Sequence, residues 1–291
     1  MIPPPFDYYA PNSVSDAIGM LKQYGSEAKI LSGGMSLIPL MKLRLAEPTH
    51  LIDINRISGL DDIKEADGFL RIGALVREVD LEKSELIRSK YPLLLDTTLV
   101  IADPLVRNRA TIGGNLAHGD PANDHPATML ALEAEIVAAG PKGERKIPVT
   151  SFFTGLFTTA LNSDEILTEI RIPIPPPGSA GAYFKLERKV GDFATAGVAA
   201  QLTVGKGDIC ERAGIGLTNV GMTPIKAKRA EEALRGKKID AESIKRAALL
   251  AAQESEPTAD LRGSEEYKRD LVRVLTIRAL SRAFERSRGG K

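Results

Sequence analysis

Cysteine is almost absent from this sequence, tryptophan is absent altogether, and neither sign of charge dominates. The one thiol, Cys210, in 291 residues forms no internal disulfide and cannot supply the set of thiolates that an iron–sulfur cluster needs. A cytoplasmic protein is expected, with any cluster chemistry carried by another chain. An aromatic content of 5% leaves few stacking platforms for bases. The net charge of +1 lacks the basic excess of a general nucleic-acid binder. No apolar run approaches the roughly 18 residues of a membrane span, and the opening MIPPPF does not read as a secretion signal. Missing too are G-x-G-x-x-G, G-x-x-x-x-G-K-[ST] and G-x-S-x-G, which removes the dinucleotide Rossmann site, the P-loop and the nucleophile elbow.

What is present is a pair of related segments, ILSGGMSL from Ile30 and ATIGGNL from Ala110. Each sets a Gly-Gly pair and small hydroxyl residues beside an apolar run. Gly33, Gly34, Gly113 and Gly114 let backbone turn sharply and approach a ligand closely. Successive N–H groups in such turns suit an anion, usually a phosphate. Two loops together can grip a diphosphate from both sides, with Ser32, Ser36, Thr111 and Asn115 adding side-chain partners. Four N–H bonds at about 1.5–3 kcal/mol each would support tight retention. Two tight turns in a chain of 26 glycines is the competing reading.

Between them lie less specific candidates. His118 and His125 bracket a polar loop with Asp120 and Asp124. Its spacing matches no compact metal motif and no metal is expected there. Asp124 is a candidate acceptor for ribose hydroxyls, and His125 a cap for the helix that begins near Pro126. Arg188–Ala194 reads as a solvated hairpin tip or as a mobile loop whose Phe193 covers a planar ligand. Cys210 reads as a buried structural thiol. The arginines at 269, 273, 278, 282 and 286 read as the wet face of an amphipathic helix.

The pattern predicts a helix from Ser13 to Tyr24, capped by Ser13 or Ser15, strands at Ala28–Leu31 and Leu51–Ile54, and a short helix or turn from Leu37 to Leu43. A strand at Phe69–Leu75 is followed by a helix over Val79–Ser89 that Pro92 ends. An apolar helix spans Pro126–Glu135, and strands at 136–139 and 145–149 pair around Gly-Pro-Lys-Gly. After a strand at Ile166–Ile174, prolines 173–177 form a stiff connector. Strands at 182–186, 197–204 and 213–220 and helices at 241–253 and 267–286 complete an α+β chain.

Taken in order, Ser32-Gly-Gly-Met-Ser36, Leu51-Ile-Asp-Ile-Asn55, Ile101-Ala-Asp-Pro104, Thr111-Ile-Gly-Gly-Asn115 and Gly191-Asp-Phe-Ala194 resemble the FAD-binding medium subunits of molybdenum hydroxylases, the family of carbon monoxide dehydrogenase medium chains and xanthine dehydrogenase FAD subunits. The similarity runs from Pro5 to Leu271. It implies an α+β, PCMH-type fold like that of vanillyl-alcohol oxidase over residues 1–175. Two subdomains, about 1–57 and 58–175, would hold FAD between them, and an antiparallel sheet with a helix bundle would follow at 179–287. By position, Ser32, Gly33, Gly34, Met35 and Ser36, with Thr111, Ile112, Gly113, Gly114 and Asn115, would hold the pyrophosphate. Lys29, His118, Asp124, Leu167 and Lys185 match further FAD contacts, and Phe193 would lie over the isoalloxazine. Met35 stands where the family often has Gln or His, which leaves backbone donation intact. Phe193 replaces Tyr or Trp, keeping the stacking face without a polar handle.

The resemblance implies a flavin electron-transfer subunit that carries no acid–base catalyst. Its partners would be a small [2Fe–2S] subunit and a large molybdenum-cofactor subunit, assembled as a dimer of heterotrimers, with an external electron acceptor. The rivals are a stand-alone flavin oxidase or dehydrogenase of the same fold and a flavin-free assembly subunit.

Overall fold

A computed structural model describes residues 2–289. Its first layer is a three-stranded parallel sheet in which His50–Asp53 lies between Asp7–Tyr9 and Ala28–Leu31. The helix Val14–Tyr24 packs on it through Ala17 and Leu21. Of the two candidate caps it is Ser13 that acts, its Oγ accepting from Asp16 N at 3.0 Å.

The second sheet has five strands, all antiparallel, in the order Ile63–Ala66, Phe69–Gly73, Ile166–Pro173, Glu135–Gly140, Gly143–Pro148. Alternation on the long strand puts Ile170 and Ile172 into the core with Leu70, Ile72 and Ile136. The helix expected over Val79–Ser89 is two helices, Glu78–Lys83 and Glu85–Lys90. Ser84 turns extended between them, and its side chain caps the second. Pro92 does not end this region. It stands at the first position of a third helix, Pro92–Leu99, where its missing N–H costs nothing. The apolar helix is also shorter than expected, His125–Ala131. Glu133 at φ 55° turns the chain into the strand that begins at Glu135.

The third sheet, in the order Ser179–Leu186, Ala196–Val204, Cys210–Thr218, Ile225–Lys226, is antiparallel. On the middle strand Val198, Ala200 and Leu202 face a core shared with the helices Lys228–Leu234, Ala241–Glu254 and Glu265–Ser287. Ala199 and Tyr183 face the other way, into the core of the second sheet. Cys210 is buried, and burial pushes its thiol up to about 11, as a structural thiol requires.

The last helix corrects the reading of its arginines. Arg269 and Arg278 are exposed, but Arg286 is not on a wet face. Its guanidinium donates to both carboxylate oxygens of Asp96, at 2.6 and 3.0 Å, and to the Gly181 carbonyl at 2.8 Å. The end of the chain is thereby fastened to the helix Pro92–Leu99. No helix among the described residues is long and apolar enough to cross a membrane.

Candidate FAD site

The first Gly-Gly pair leads into the short helix Leu37–Lys42, whereas the second, Gly113–Gly114, is not a free loop but lies in the first turn of the helix Ile112–His118. The two segments lie against each other. Ser32 Oγ and Thr111 Oγ1 are 3.1 Å apart. A Cβ on Gly33 would strike the Arg109 carbonyl and lie 2.9 Å from Ala110 Cα. One on Gly114 would lie 2.8 Å from both the Ser32 and Thr111 hydroxyl oxygens. Side chains at these positions would therefore drive the loops apart.

The loops differ in what they leave free. Among the described residues, none of the amides of Gly33, Gly34, Met35 and Ser36 donates to a carbonyl or side chain of the chain. The second loop spends its amides internally. Ile112 N donates to Val76 O at 3.0 Å, Gly113 N to Ala74 O at 3.1 Å, Gly114 N to Thr111 Oγ1 at 3.2 Å and Asn115 N to Thr111 O at 2.9 Å. A symmetrical backbone grip, as the sequence suggested, is thus replaced by one amide-rich jaw and one jaw of side chains. Thr111 caps its helix, and Asn115 Oδ1 is buried without a partner among the described residues. An orphaned acceptor in one segment and four free donors in the other fit a ligand that carries both phosphate and hydroxyl groups.

In the sequence, Leu51–Asn55 shows no evident task. Asn55 Nδ2 donates to the Ser32 carbonyl at 2.9 Å and to Asp53 Oδ1 at 2.7 Å, pinning the base of the first loop. Asp53 also accepts from Tyr8 Oη at 2.6 Å. Burial opposes its charge, but the hydrogen bonds from Tyr8 and Asn55 hold its carboxyl below the usual range. The two-residue spacing of Asp53 and Asn55, a common turn-forming pattern, was the available signal.

Asp124 is not an open carboxylate. It accepts from Tyr183 Oη at 2.6 Å and Lys185 Nζ at 3.1 Å and is buried. Burial raises its pKa, against the pull of Lys185. Burial, reinforced by the charge of Asp124, also pushes the Tyr183 phenol well above its ordinary value. Lys185 Nζ reaches Glu187 at 3.2 Å and donates to the Asp192 carbonyl at 3.1 Å. Asp192 in turn binds Arg188 and Arg262, each at 3.0 Å, and these guanidiniums bring its carboxyl down to about 2. This lattice holds the segment that presents Phe193, 48% exposed.

His125 does not cap its helix. Its Nε2 lies 2.8 Å from Glu78 Oε2, and both side chains are fully buried. Asp124 occupies the cap position without a capping side-chain bond. His118 ends the second loop's helix with its ring centroid 5.2 Å from that of Phe157, and burial lowers its pKa. Lys29 and Met35 are exposed near the first loop, whereas Leu167 is buried in the second sheet's core.

Residues 4–175 match the family model described as the FAD binding domain in molybdopterin dehydrogenase. The chain belongs to this family. Residues 181–283 match the CO dehydrogenase flavoprotein C-terminal domain. The carbon monoxide dehydrogenase medium chain of Hydrogenophaga pseudoflava is 46% identical, over 98% of this chain and 99% of that one. A solved structure of that organism's carbon monoxide dehydrogenase, lacking the Mo-pyranopterin moiety of its molybdenum cofactor, superposes with a TM-score of 0.96 at 48% identity, covering 98% of this chain and 99% of that chain. The 6-hydroxypseudooxynicotine dehydrogenase complex subunit alpha of Paenarthrobacter nicotinovorans is 38% identical, over 100% of this chain and 98% of that one. The α+β fold, the FAD cofactor and the assignment as an oxidoreductase medium subunit of the molybdenum hydroxylases follow. The free amides of the first loop, the closely set glycines and the orphaned Asn115 fit that cofactor.

Proposed function

We propose that this chain is the electron-transfer subunit of a cytoplasmic, three-subunit molybdenum hydroxylase, assembled as a dimer of heterotrimers. It would receive electrons from [2Fe–2S] clusters of a small partner, themselves fed by a large molybdenum subunit, and deliver them to an external acceptor. The observation that carries this reading is the apposition of the two glycine loops, one with four unspent amides. Its single, buried cysteine supports placing the clusters in another chain.

FAD supplies reversible acceptance of two electrons, which lets a substrate oxidation be matched to a different acceptor. This chain's residues bind and orient it. The amides of Gly33, Gly34, Met35 and Ser36 would hold the diphosphate, with the Ser32 and Thr111 hydroxyls and the Asn115 side chain completing the grip alongside Ile112, Gly113 and Gly114. Lys29, His118 and Leu167 would line the rest. Asp124 and Lys185, already paired to each other, would act by holding the Phe193 segment, whose half-exposed ring suits the face of an isoalloxazine. In this reading residues 1–175, in parts of about 1–57 and 58–175, form the cofactor domain and residues 179–287 the domain that carries the Phe193 loop.

Isolation of the native protein tests the assembly. A large chain containing molybdenum and a small cysteine-rich chain with [2Fe–2S] signals should co-purify in equal amounts. A flavin-loaded single chain that oxidises substrate alone would overturn this reading.

A further inference from the structure

The side chains of Glu78 and His125 have no exposure to solvent, and they are joined by one contact, Glu78 Oε2 to His125 Nε2 at 2.8 Å. The remaining atoms, Glu78 Oε1 and His125 Nδ1, are buried without partners among the described residues. Such a pair is a poor device for stability, because apolar side chains of similar size commonly serve as well or better.

Its position is more informative. The backbone N–H of Glu78 donates to Ala110 O at 3.0 Å, the last of three bonds by which residues 74–78 clasp residues 110–113 behind the second glycine loop. His125 directly follows Asp124, whose carboxylate takes Tyr183 and Lys185 from the third sheet. Glu78 and His125 therefore tie the back of one loop to the corner that carries the Phe193 segment.

We propose that Glu78 and His125 form a positioning pair for FAD, fixing the second glycine loop against the Asp124–Lys185 corner so that the cofactor meets both at once. The inference rests on the loop assignment proposed above. Neither residue touches a reacting group; each acts through the backbone that it holds.

The test uses the full chain stripped of flavin and titrated with FAD, with thermal unfolding of the flavin-free protein measured in parallel. Glu78→Gln keeps the shape and one hydrogen bond, and should bind within about twofold of the parent. Glu78→Met combined with His125→Leu removes both polar partners together, so the flavin-free fold should keep its melting temperature. Its dissociation constant should rise about tenfold, and the visible circular dichroism of its bound flavin should change. Parent-like affinity and dichroism in the double variant would overturn the positioning role and leave a structural pair. So would an affinity loss matched by an equal loss of flavin-free stability and not rescued in Glu78→Gln. Gly114→Val serves as the separate control. If it also binds FAD like the parent, the loop assignment itself is wrong; if it alone fails, only the positioning role is lost.

Discussion

The hydroxyls of Ser32 and Thr111, 79 positions apart in the chain, meet at 3.1 Å where the two glycine loops touch. Each belongs to a different sheet's connection, so this contact joins the parallel sheet to the antiparallel one where the cofactor is proposed to bind. Thr111 has a second task, accepting from Gly114 N as a helix cap.

Replacing both residues, Ser32→Ala with Thr111→Ala, should separate these tasks from the fold. Loss of the cap costs about 1 kcal/mol of stability. Loss of the two hydroxyls proposed to hold the diphosphate should weaken FAD binding about tenfold or more. Fluorescence titration of the flavin-free chain with FAD, set beside its thermal unfolding, checks both numbers. Thr111→Ser should restore most of the affinity.

Asp192 gives a pH dependence with a definite sign. Hydrogen bonds from Arg188 and Arg262 bring its carboxyl to about 2, below the ordinary value of 3.8. The unfolded chain therefore takes up this proton first as the pH falls. The stabilisation is complete above the unfolded value and drains away between about 4 and about 2. Asp192→Asn should lose that part of the acid dependence, and should show greater proteolytic cleavage around Phe193. Identical acid-unfolding curves for variant and parent would contradict the assignment.

The Arg286–Asp96 pair predicts a coupling between the last helix and the helix Pro92–Leu99. Arg286→Met leaves Asp96 partly buried, with only the Tyr183 amide, at 3.3 Å, still donating to it. A loss of about 2 kcal/mol is expected, less than for a fully buried pair because both side chains retain some exposure. Asp96→Leu combined with Arg286→Met should recover most of it. Calorimetry of the two variants measures the difference.

The local chemistry of this protein was legible in its sequence, and the long-range chemistry much less so. Gly-Gly pairs flanked by hydroxyls marked both segments, though Gly113 and Gly114 stand inside a helix, and the strands expected at Ile166–Ile174 and Gly197–Val204 lie within one residue of Ile166–Pro173 and Ala196–Val204. The break at Ser84 escaped detection because charged and apolar residues keep helical spacing straight through it. Pro92 was read as a stop, although proline at a helix's first position is equally a start. The partners of Glu78, Asp96 and Ser32 lie 47, 190 and 79 positions away, and no periodicity encodes such pairings. The amides of the second loop looked available, yet Ile112 and Gly113 donate to Val76 and Ala74, while Gly114 and Asn115 donate to Thr111 within their own helix turn.

Gly114→Val puts the central claim to its most direct test. A branched side chain there enters the space between the Ser32 and Thr111 hydroxyls, now 2.8 Å from where its Cβ would stand. The account predicts that the flavin-free variant unfolds cooperatively but binds FAD at least about a hundredfold more weakly than the parent, a loss of about 3 kcal/mol. A parent-like dissociation constant in a folded variant would contradict a cofactor held between the two loops.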